Sequence, residues 1–334
     1  MRSLFLSTLA VLPVLGSVVP SRIGTVKIPL EKRFKLVDED GVVNKDLLRG
    51  ELIRSTNKIQ RGFEAFEQNT GSAHPFDNKL HTRAVGNDPL TDFEEVLWSG
   101  SISVGTPAST FTVDFDTGSS DLFLPGSNCN TNCNGHKRYT TSASSTAVDQ
   151  RRTFSLAFGD GSTVQGEVFH DTVTVAGITA TGQAVGAATT YSTGFALANF
   201  PPDGLLGMAF PQISVFRENP FFQTAVAQGK TTSSVFAFRL ATSGSELTVG
   251  GTDTSKFTGA LTSVPVTTQG FWQINIGGLS VSGRTPVGQV GGIVDTGTTL
   301  ILGDQRNVAA FYAAIPGARD ATATVGAGFF TSSS

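Results

Sequence analysis

Residues 113–119 read VDFDTGS, and residues 293–298 read IVDTGT. Each stretch places Asp-Thr-Gly after an apolar run and follows the glycine with a hydroxyl residue. A single Asp-Thr-Gly is an ordinary turn sequence, because aspartate and glycine are both common in turns. Two copies in the same surroundings are much less expected by chance. Because Asp116 and Asp295 lie 179 residues apart, the repeat predicts two similar lobes, each contributing one aspartate to a shared cleft.

Asp116 and Asp295 are the candidate catalytic pair. A carboxylate that acts as a general base needs a neighbour that acts as a general acid. Two carboxyl groups held close together cannot both ionise easily, so they share a proton and titrate as a pair. Ser119 and Thr298, each three residues beyond its aspartate, are placed to hydrogen-bond that carboxylate.

The composition predicts an all-β protein. Charged residues make up 15% of the 334 residues, against about 25% in an average soluble domain. The 38 glycines, together with abundant Thr, Ser, Val and Phe, favour short strands and tight turns. From Trp98 onward the sequence contains no phosphate-cradling loop and no Cys/His cluster, so we expect no cofactor and no metal.

Residues 1–17 have the pattern of a secretory signal peptide. Arg2 precedes a mostly apolar run at 4–15, and the small residues Gly16 and Ser17 follow it. The run is short for a membrane span, and no later segment is a better candidate, so no membrane attachment is expected. The alternative is a buried strand or helix. The signal-peptide interpretation predicts a secreted, extracellular protein, with a vacuolar location also possible.

Residues 18–83, here called the leader, differ in charge from the remainder. The leader holds 12 Lys and Arg against 9 Asp and Glu, a net charge of +3, whereas residues 84–334 hold 11 against 18, a net charge of −7. The leader also contains the only long helix-compatible stretch, KDLLRGELIRSTNKIQRGFEAF at 45–66. The charge difference predicts a propeptide that binds the acidic body as an intramolecular inhibitor, is released on acidification, and ends near Arg83. A nucleic-acid-binding arm, the alternative, fits poorly with a secretory signal.

Cys129 and Cys133 are the only cysteines, and they lie among turn-forming Asn and Gly residues. Such close spacing in a loop suits a small disulfide in a secreted protein, with free thiols as the alternative. Two cysteines are too few for a structural zinc site, and His136 alone does not complete one.

The phrases around the two loops resemble the pepsin family of aspartic peptidases, and most closely its fungal secreted members. They are FDTGSSDLFLPG, FGDGSTVQGEVFHDTV, PPDGLLGMAF, LTVGGTDTSKFTG and GFWQINI, in the order of the family. The resemblance covers roughly residues 95–330. It implies a bilobal all-β fold, protein or peptide substrates, and hydrolysis of peptide bonds by water activated between Asp116 and Asp295.

The resemblance also implies roles for the residues beside the two aspartates. Thr117 and Thr296 take the positions of the buried hydroxyls that brace the two loops. Gly118 and Gly297 fall where the family contacts the substrate backbone.

The hairpin FSLAFGDGS at 154–162 corresponds to the mobile lid of the family, with Phe158, Gly159 and Asp160 as substrate-binding residues. An acidic Asp160 would favour, modestly, a lysine just before the scissile bond. The family usually has Tyr at Phe158 and Trp at Phe123, joined by a hydrogen bond that two phenylalanines cannot form. Because both polar groups are replaced together, neither a donor nor an acceptor is left unpaired.

A second departure from the pattern of the family concerns the bounds of the two lobes. The first lobe, expected at 84–258, has the supporting segment DGLLG 87 residues after Asp116. The second lobe, expected at 259–334, has only 39 residues after Asp295, so we expect it to be truncated. The sequence therefore predicts a secreted acid endopeptidase. The alternative is a catalytically impaired or inactive relative that acts as a protein-binding module.

Overall fold

A computed structural model describes six parts of the chain, residues 26–32, 43–77, 98–158, 162–241, 244–298 and 300–332. The predicted signal peptide, the expected end of the leader near Arg83, and Gly159 and Asp160 of the lid lie outside the described residues. Strands dominate the described residues, so the all-β prediction is confirmed.

The described strands are β1 Val26–Lys32, β2 Trp98–Val104, β3 Ser109–Asp116, β4 Leu122–Pro125, β5 Val148–Ala157, β6 Thr163–Val175, β7 Ile178–Tyr191, β8 Gly204–Gly207, β9 Phe236–Arg239, β10 Ser245–Val249, β11 Val266–Gln269, β12 Trp272–Ile276, β13 Leu279–Val281, β14 Arg284–Val287, β15 Val290–Ile293, β16 Arg319–Asp320 and β17 Phe330–Thr331. The described α-helices are α1 Lys45–Thr70, α2 Phe221–Ala227 and α3 Gln305–Ala313.

The first lobe contributes β2–β10 to a ten-stranded sheet in the order β5-β6-β7-β4-β8-β3-β2-β1-β10-β9, and the leader contributes the remaining strand, β1. Most neighbours are antiparallel, but β3 pairs with β8, and β4 with β7, in parallel. Buried side chains such as Phe111, Val113 and Phe115 on β3 belong to its main core. Asp116 is the last residue of β3, so the sheet fixes the position of the first Asp-Thr-Gly loop.

Strand β8, the GLLG part of DGLLG, supports that loop from below. All four of its residues are buried, and Gly207 pairs with Asp116 in the parallel ladder. The next residue, Met208, donates its N–H to the Asp116 carbonyl at 2.8 Å. A side chain at Gly207 would collide with the backbone of Ser120, so only glycine allows this close approach.

The second lobe, β11–β17, forms smaller sheets in the described residues. The largest is a three-stranded sheet in the order β11-β12-β15. Strands β13 and β14 form a separate two-stranded sheet, and β16 and β17 form another. Strand β15 leads directly into the second Asp-Thr-Gly loop, and its one described strand partner is β12. The two lobes are joined at Trp272, whose indole N–H donates to the Met208 carbonyl at 2.9 Å.

Part of the leader is built into the fold. Strand β1 lies between β10 and β2, antiparallel to both. The predicted helix is confirmed and runs over 26 residues as α1. Near its end, Phe63 and Phe66 are buried against Ile213 of the first lobe and Phe271 of the second. The leader therefore packs on both lobes at once.

The predicted disulfide between Cys129 and Cys133 is present, in the loop that follows β4. No helix in the described ranges is both long and apolar enough to span a bilayer. The described residues also contain no group of three or more His, Cys, Asp or Glu side chains arranged to hold a metal ion.

Candidate active site

The two Asp-Thr-Gly loops hold their carboxylates in the same way. Asp116 accepts hydrogen bonds from the backbone N–H two residues on, at 3.0 Å, and from Ser119 Oγ at 2.5 Å. Asp295 accepts the corresponding bonds from the N–H two residues on, at 2.9 Å, and from Thr298 Oγ1 at 2.6 Å. Each carboxylate therefore has one backbone and one hydroxyl donor, which fix its plane and favour its charged form.

Gly118 and Gly297 allow the carboxylates to meet. A side chain at Gly118 would run into the Asp295 carboxylate. A Cβ at Gly297 would lie 2.5 Å from Asp116 Oδ1, closer than real Cβ contacts come. Each glycine therefore packs against the opposite aspartate, and a larger residue at either position would push the pair apart.

Thr117 and Thr296 join the two loops crosswise. The Thr117 N–H donates to Thr296 Oγ1 at 3.0 Å, and the Thr296 N–H donates to Thr117 Oγ1 at 2.9 Å. The Thr117 hydroxyl donates to the Val294 carbonyl at 3.0 Å, and the Thr296 hydroxyl to the Phe115 carbonyl at 2.6 Å. Each hydroxyl is both donor and acceptor, so the four bonds lock the loops together below the carboxylates.

Lys58, in the middle of α1, binds both carboxylates. Its Nζ donates to Asp116 Oδ1 at 2.5 Å and to the two Asp295 oxygens at 2.9 Å each. The Lys58 side chain is 9% exposed, and those of Asp116 and Asp295 are 2% and 6% exposed. The leader thus places a cation where the two aspartates converge and shields all three groups from water.

Burial and charge move the pKa values of the two aspartates in opposite directions. Burial alone would raise the pKa of Asp116, but the charge and hydrogen bond of Lys58, with the bond from Ser119, outweigh it, so the pKa lies below the ordinary value. Burial and the nearby charge of Asp116 raise the pKa of Asp295 despite Lys58. Burial opposes the charge of Lys58, yet the two carboxylates raise its pKa.

Asp114, two residues before Asp116 on β3, is a third buried carboxyl near the pair. It is 1% exposed, and its Oδ1 has no hydrogen-bond partner among the described residues. Burial and the charge of Asp116 raise the pKa of Asp114 to about 7. Neither Asp114 nor Lys58 was identified from the sequence. The sequence shows Asp114 only as an acidic residue inside an apolar strand, and Lys58 only as one basic residue of the leader. Neither feature shows which atoms come into contact.

The chain matches a known family over most of this architecture. Residues 98–327 match the family described as eukaryotic aspartyl protease. The chain belongs to the pepsin-like aspartyl proteases. It is 39% identical to an aspartic protease of Phaffia rhodozyma, over 97% of this chain and 77% of that protein. It is 36% identical to pepsin A of Sus scrofa, over 80% and 70%, and 37% identical to cathepsin E of Rattus norvegicus, over 66% and 57%.

Membership of this family makes the protein an aspartic endopeptidase. Its lid differs from the Tyr–Trp pattern that is usual in the family. Phe158 and Phe123 are both buried, with ring centroids 5.8 Å apart, and Phe195 packs against them at 4.8 Å and 5.4 Å. Aromatic packing therefore takes the place of that polar pair at the base of the lid.

Proposed function

We propose that the chain is the precursor of a secreted endopeptidase that acts at acidic pH, with Asp116 and Asp295 as its catalytic pair and the leader as its inhibitor. The observation that carries this proposal is the position of Lys58 Nζ, within 2.9 Å of both carboxylates. A cation held there by the leader occupies the place where a reacting water molecule would have to bind.

The same geometry supports a mechanism for the leader-free enzyme. A water molecule in the place of Lys58 Nζ would lie within hydrogen-bonding distance of Asp116 and Asp295. The ionised carboxyl accepts a proton from this water as it attacks the peptide carbonyl, and the protonated one donates to the carbonyl oxygen. Two adjacent carboxyls that share one proton suit this division, because one is ionised while the other is protonated.

Acid would release the leader through the same ion pairs. Asp116 has a lowered pKa, so it stabilises the leader-bound state above the ordinary pKa of 3.8, and this contribution is lost as the pH falls further. Asp295 has a raised pKa, so as the pH falls it is protonated at a higher pH than Asp116. Once both carboxyls are neutral, Lys58 is a buried charge without a counterion, which favours departure of α1.

Protein or peptide substrates follow from the endopeptidase family, and secretion follows from the predicted signal peptide. The alternative of an inactive protein-binding module is not favoured, because both carboxylates keep their hydroxyl and backbone donors. Nor does a binding module account for a buried lysine aimed at both of them.

The test uses the chain with its leader and the variants Asp116→Asn and Asp295→Asn. A brief trypsin treatment, stopped with an inhibitor, removes the leader from every protein alike, and casein cleavage is then measured at pH 3. We expect each variant to lose about 100- to 10,000-fold in kcat, because each lacks a general acid or base. Asp149→Asn, which changes an exposed aspartate on β5, serves as the control and should match the wild type. Near-normal cleavage by either dyad variant would refute the proposal.

A further inference from the structure

His74 is a buried histidine of the leader, four residues beyond the end of α1. It is 1% exposed and packs among four phenylalanine rings. Phe63 stacks on the imidazole ring at a centroid distance of 4.4 Å. The other three rings stand roughly perpendicular to it, at 4.9, 5.9 and 6.0 Å, and belong to Phe66, Phe76 and Phe271. Because Phe271 belongs to the second lobe, the imidazole ring is part of the contact between the leader and the body.

The hydrogen bonds of this site fit only a neutral imidazole. Nδ1 accepts a bond from the Phe76 backbone N–H at 3.2 Å, so it carries no proton. Nε2 then carries the proton, and it is shut off from water without a hydrogen-bond partner among the described residues. An imidazolium has a proton on both nitrogens, so it would lose the bond from Phe76 and bury a charge. The stacked face of Phe63 attracts a cation, but it does not replace the hydrogen bonds that water gives to both nitrogens.

The charges around His74 do not offset the cost of burying the imidazolium. Asp77 favours the charged form, but burial outweighs it and lowers the pKa of His74 from 6.5 to about 4. On α1, Glu64 and Glu67 are exposed to water, and Arg61 is partly exposed. The segments of the two lobes that pack on this part of the leader, 211–216 and 266–276, contain no titratable side chain. Protonation of His74 in place is therefore unfavourable.

We infer that His74 is a pH sensor of the leader: the neutral ring holds the end of α1 against the second lobe, and protonation of the ring releases it while Asp116 is still ionised. The inference rests on the proposed function, because it takes the leader as the inhibitor of the catalytic pair. It assigns the first step of release to a site separate from the ion pairs of Lys58.

His74 and Asp116 respond in different pH ranges. Once the leader leaves the cleft, water solvates the imidazole, and its ordinary pKa of 6.5 applies. The released leader therefore binds this proton more tightly than the docked leader does. The contribution of His74 to docking is fully present above pH 6.5 and is lost as the pH falls towards 4. The contribution of Asp116 is lost only below its ordinary pKa of 3.8, so His74 acts first.

The test measures the opening of α1 by hydrogen–deuterium exchange in the full chain with its leader. The amides of residues 59–70 are labelled in brief pulses at pH 7 and pH 5, and their exchange is corrected for the intrinsic rates. His74→Asn keeps a side-chain acceptor for the Phe76 N–H, His74→Phe keeps an aromatic ring, and neither variant titrates at this position.

The expected result is a steeper pH dependence in the wild type. Between pH 7 and pH 5 its opening constant should rise about 20-fold more than that of either variant, because only the wild type takes up a proton at His74 on opening. The other titrating groups are the same in all three proteins, so their contribution cancels in this comparison. A purely structural role would displace the variants by the same factor at both pH values.

His170→Asn is the matched control, because it removes a partly buried histidine from β6, outside the leader. It should keep the pH dependence of the wild type. Parallel curves for the wild type and the His74 variants, or an equal flattening in His170→Asn, would overturn the inference. If one His74 variant does not fold, the other decides the question. Exchange reports docking whether or not the chain cleaves casein, so cleavage that survives Asp116→Asn would refute the proposed function separately.

Discussion

The two Asp-Thr-Gly loops share their local structure and differ in what surrounds them. The first follows β3, an interior strand of a ten-stranded sheet, and has β8 beside it in parallel. The second follows β15, which in the described residues lies at the edge of a three-stranded sheet. Phe115, just before Asp116, is fully buried, whereas Val294, just before Asp295, is only partly buried.

The hydrogen bonds of the two aspartates and their pKa values therefore have different causes. The hydrogen bonds within each loop follow from its own four residues, so they are the same in both lobes. The pKa values depend on the surroundings and therefore differ between Asp116 and Asp295. Two residues before its catalytic aspartate, the first loop has the buried carboxyl of Asp114, whereas the second has the apolar Ile293.

The largest expected effect is on stability, in the pair Phe115→Ala and Val294→Ala. Truncating Phe115 to alanine leaves a cavity in the main core, so the free energy of unfolding should fall by about 3–5 kcal/mol. Val294 is partly exposed already, so its loss should cost about 1 kcal/mol. Urea unfolding of the leader-bound protein at pH 7 measures both. Equal losses of stability would show that the two loops are supported equally, which would contradict the difference between the interior strand β3 and the edge strand β15.

A smaller effect is expected from Asp114→Asn, as a change in how stability varies with pH. A buried carboxyl whose pKa is raised to about 7 stabilises the fold fully below its unfolded pKa, and this contribution is lost as the pH rises through 7. The free energy of unfolding of the wild type should therefore fall between pH 5 and pH 8 relative to that of the variant.

Urea unfolding of the leader-bound proteins at several pH values in that range provides the measurement. Asp149→Asn, which changes an exposed carboxyl in the same sheet, is the control and should follow the wild type. Parallel curves for wild type and Asp114→Asn would show that Asp114 does not titrate in this range.

The sequence predicted the features that depend on short stretches of chain. The repeated Asp-Thr-Gly, with hydroxyls at Ser119 and Thr298, predicted the carboxylates and their local donors. The helix-compatible stretch at 45–66 predicted α1, and the closely spaced cysteines predicted the disulfide.

Other features depend on contacts between distant segments, so a single sequence does not show them. Lys58 is one of several basic residues in the leader, and only the docking of α1 reveals which of them meets the carboxylates. The hydrogen bonds that residues 214–216 donate to the Asp121 carboxylate span more than 90 positions. The placement of β1 between β2 and β10 likewise depends on the whole sheet.

The most direct test of the account asks whether Lys58 holds the leader on the catalytic pair. Lys58→Met keeps a long side chain but leaves two buried carboxyls without their cation, and breaking a buried ion pair costs about 3–5 kcal/mol. Lys45→Met, at the exposed start of α1, is the control. The measurement is the pH at which half of the leader is lost, followed by gel electrophoresis and N-terminal sequencing. We predict that Lys58→Met loses its leader at least about one pH unit above the wild type, while Lys45→Met matches it. Identical midpoints for all three proteins would contradict the account.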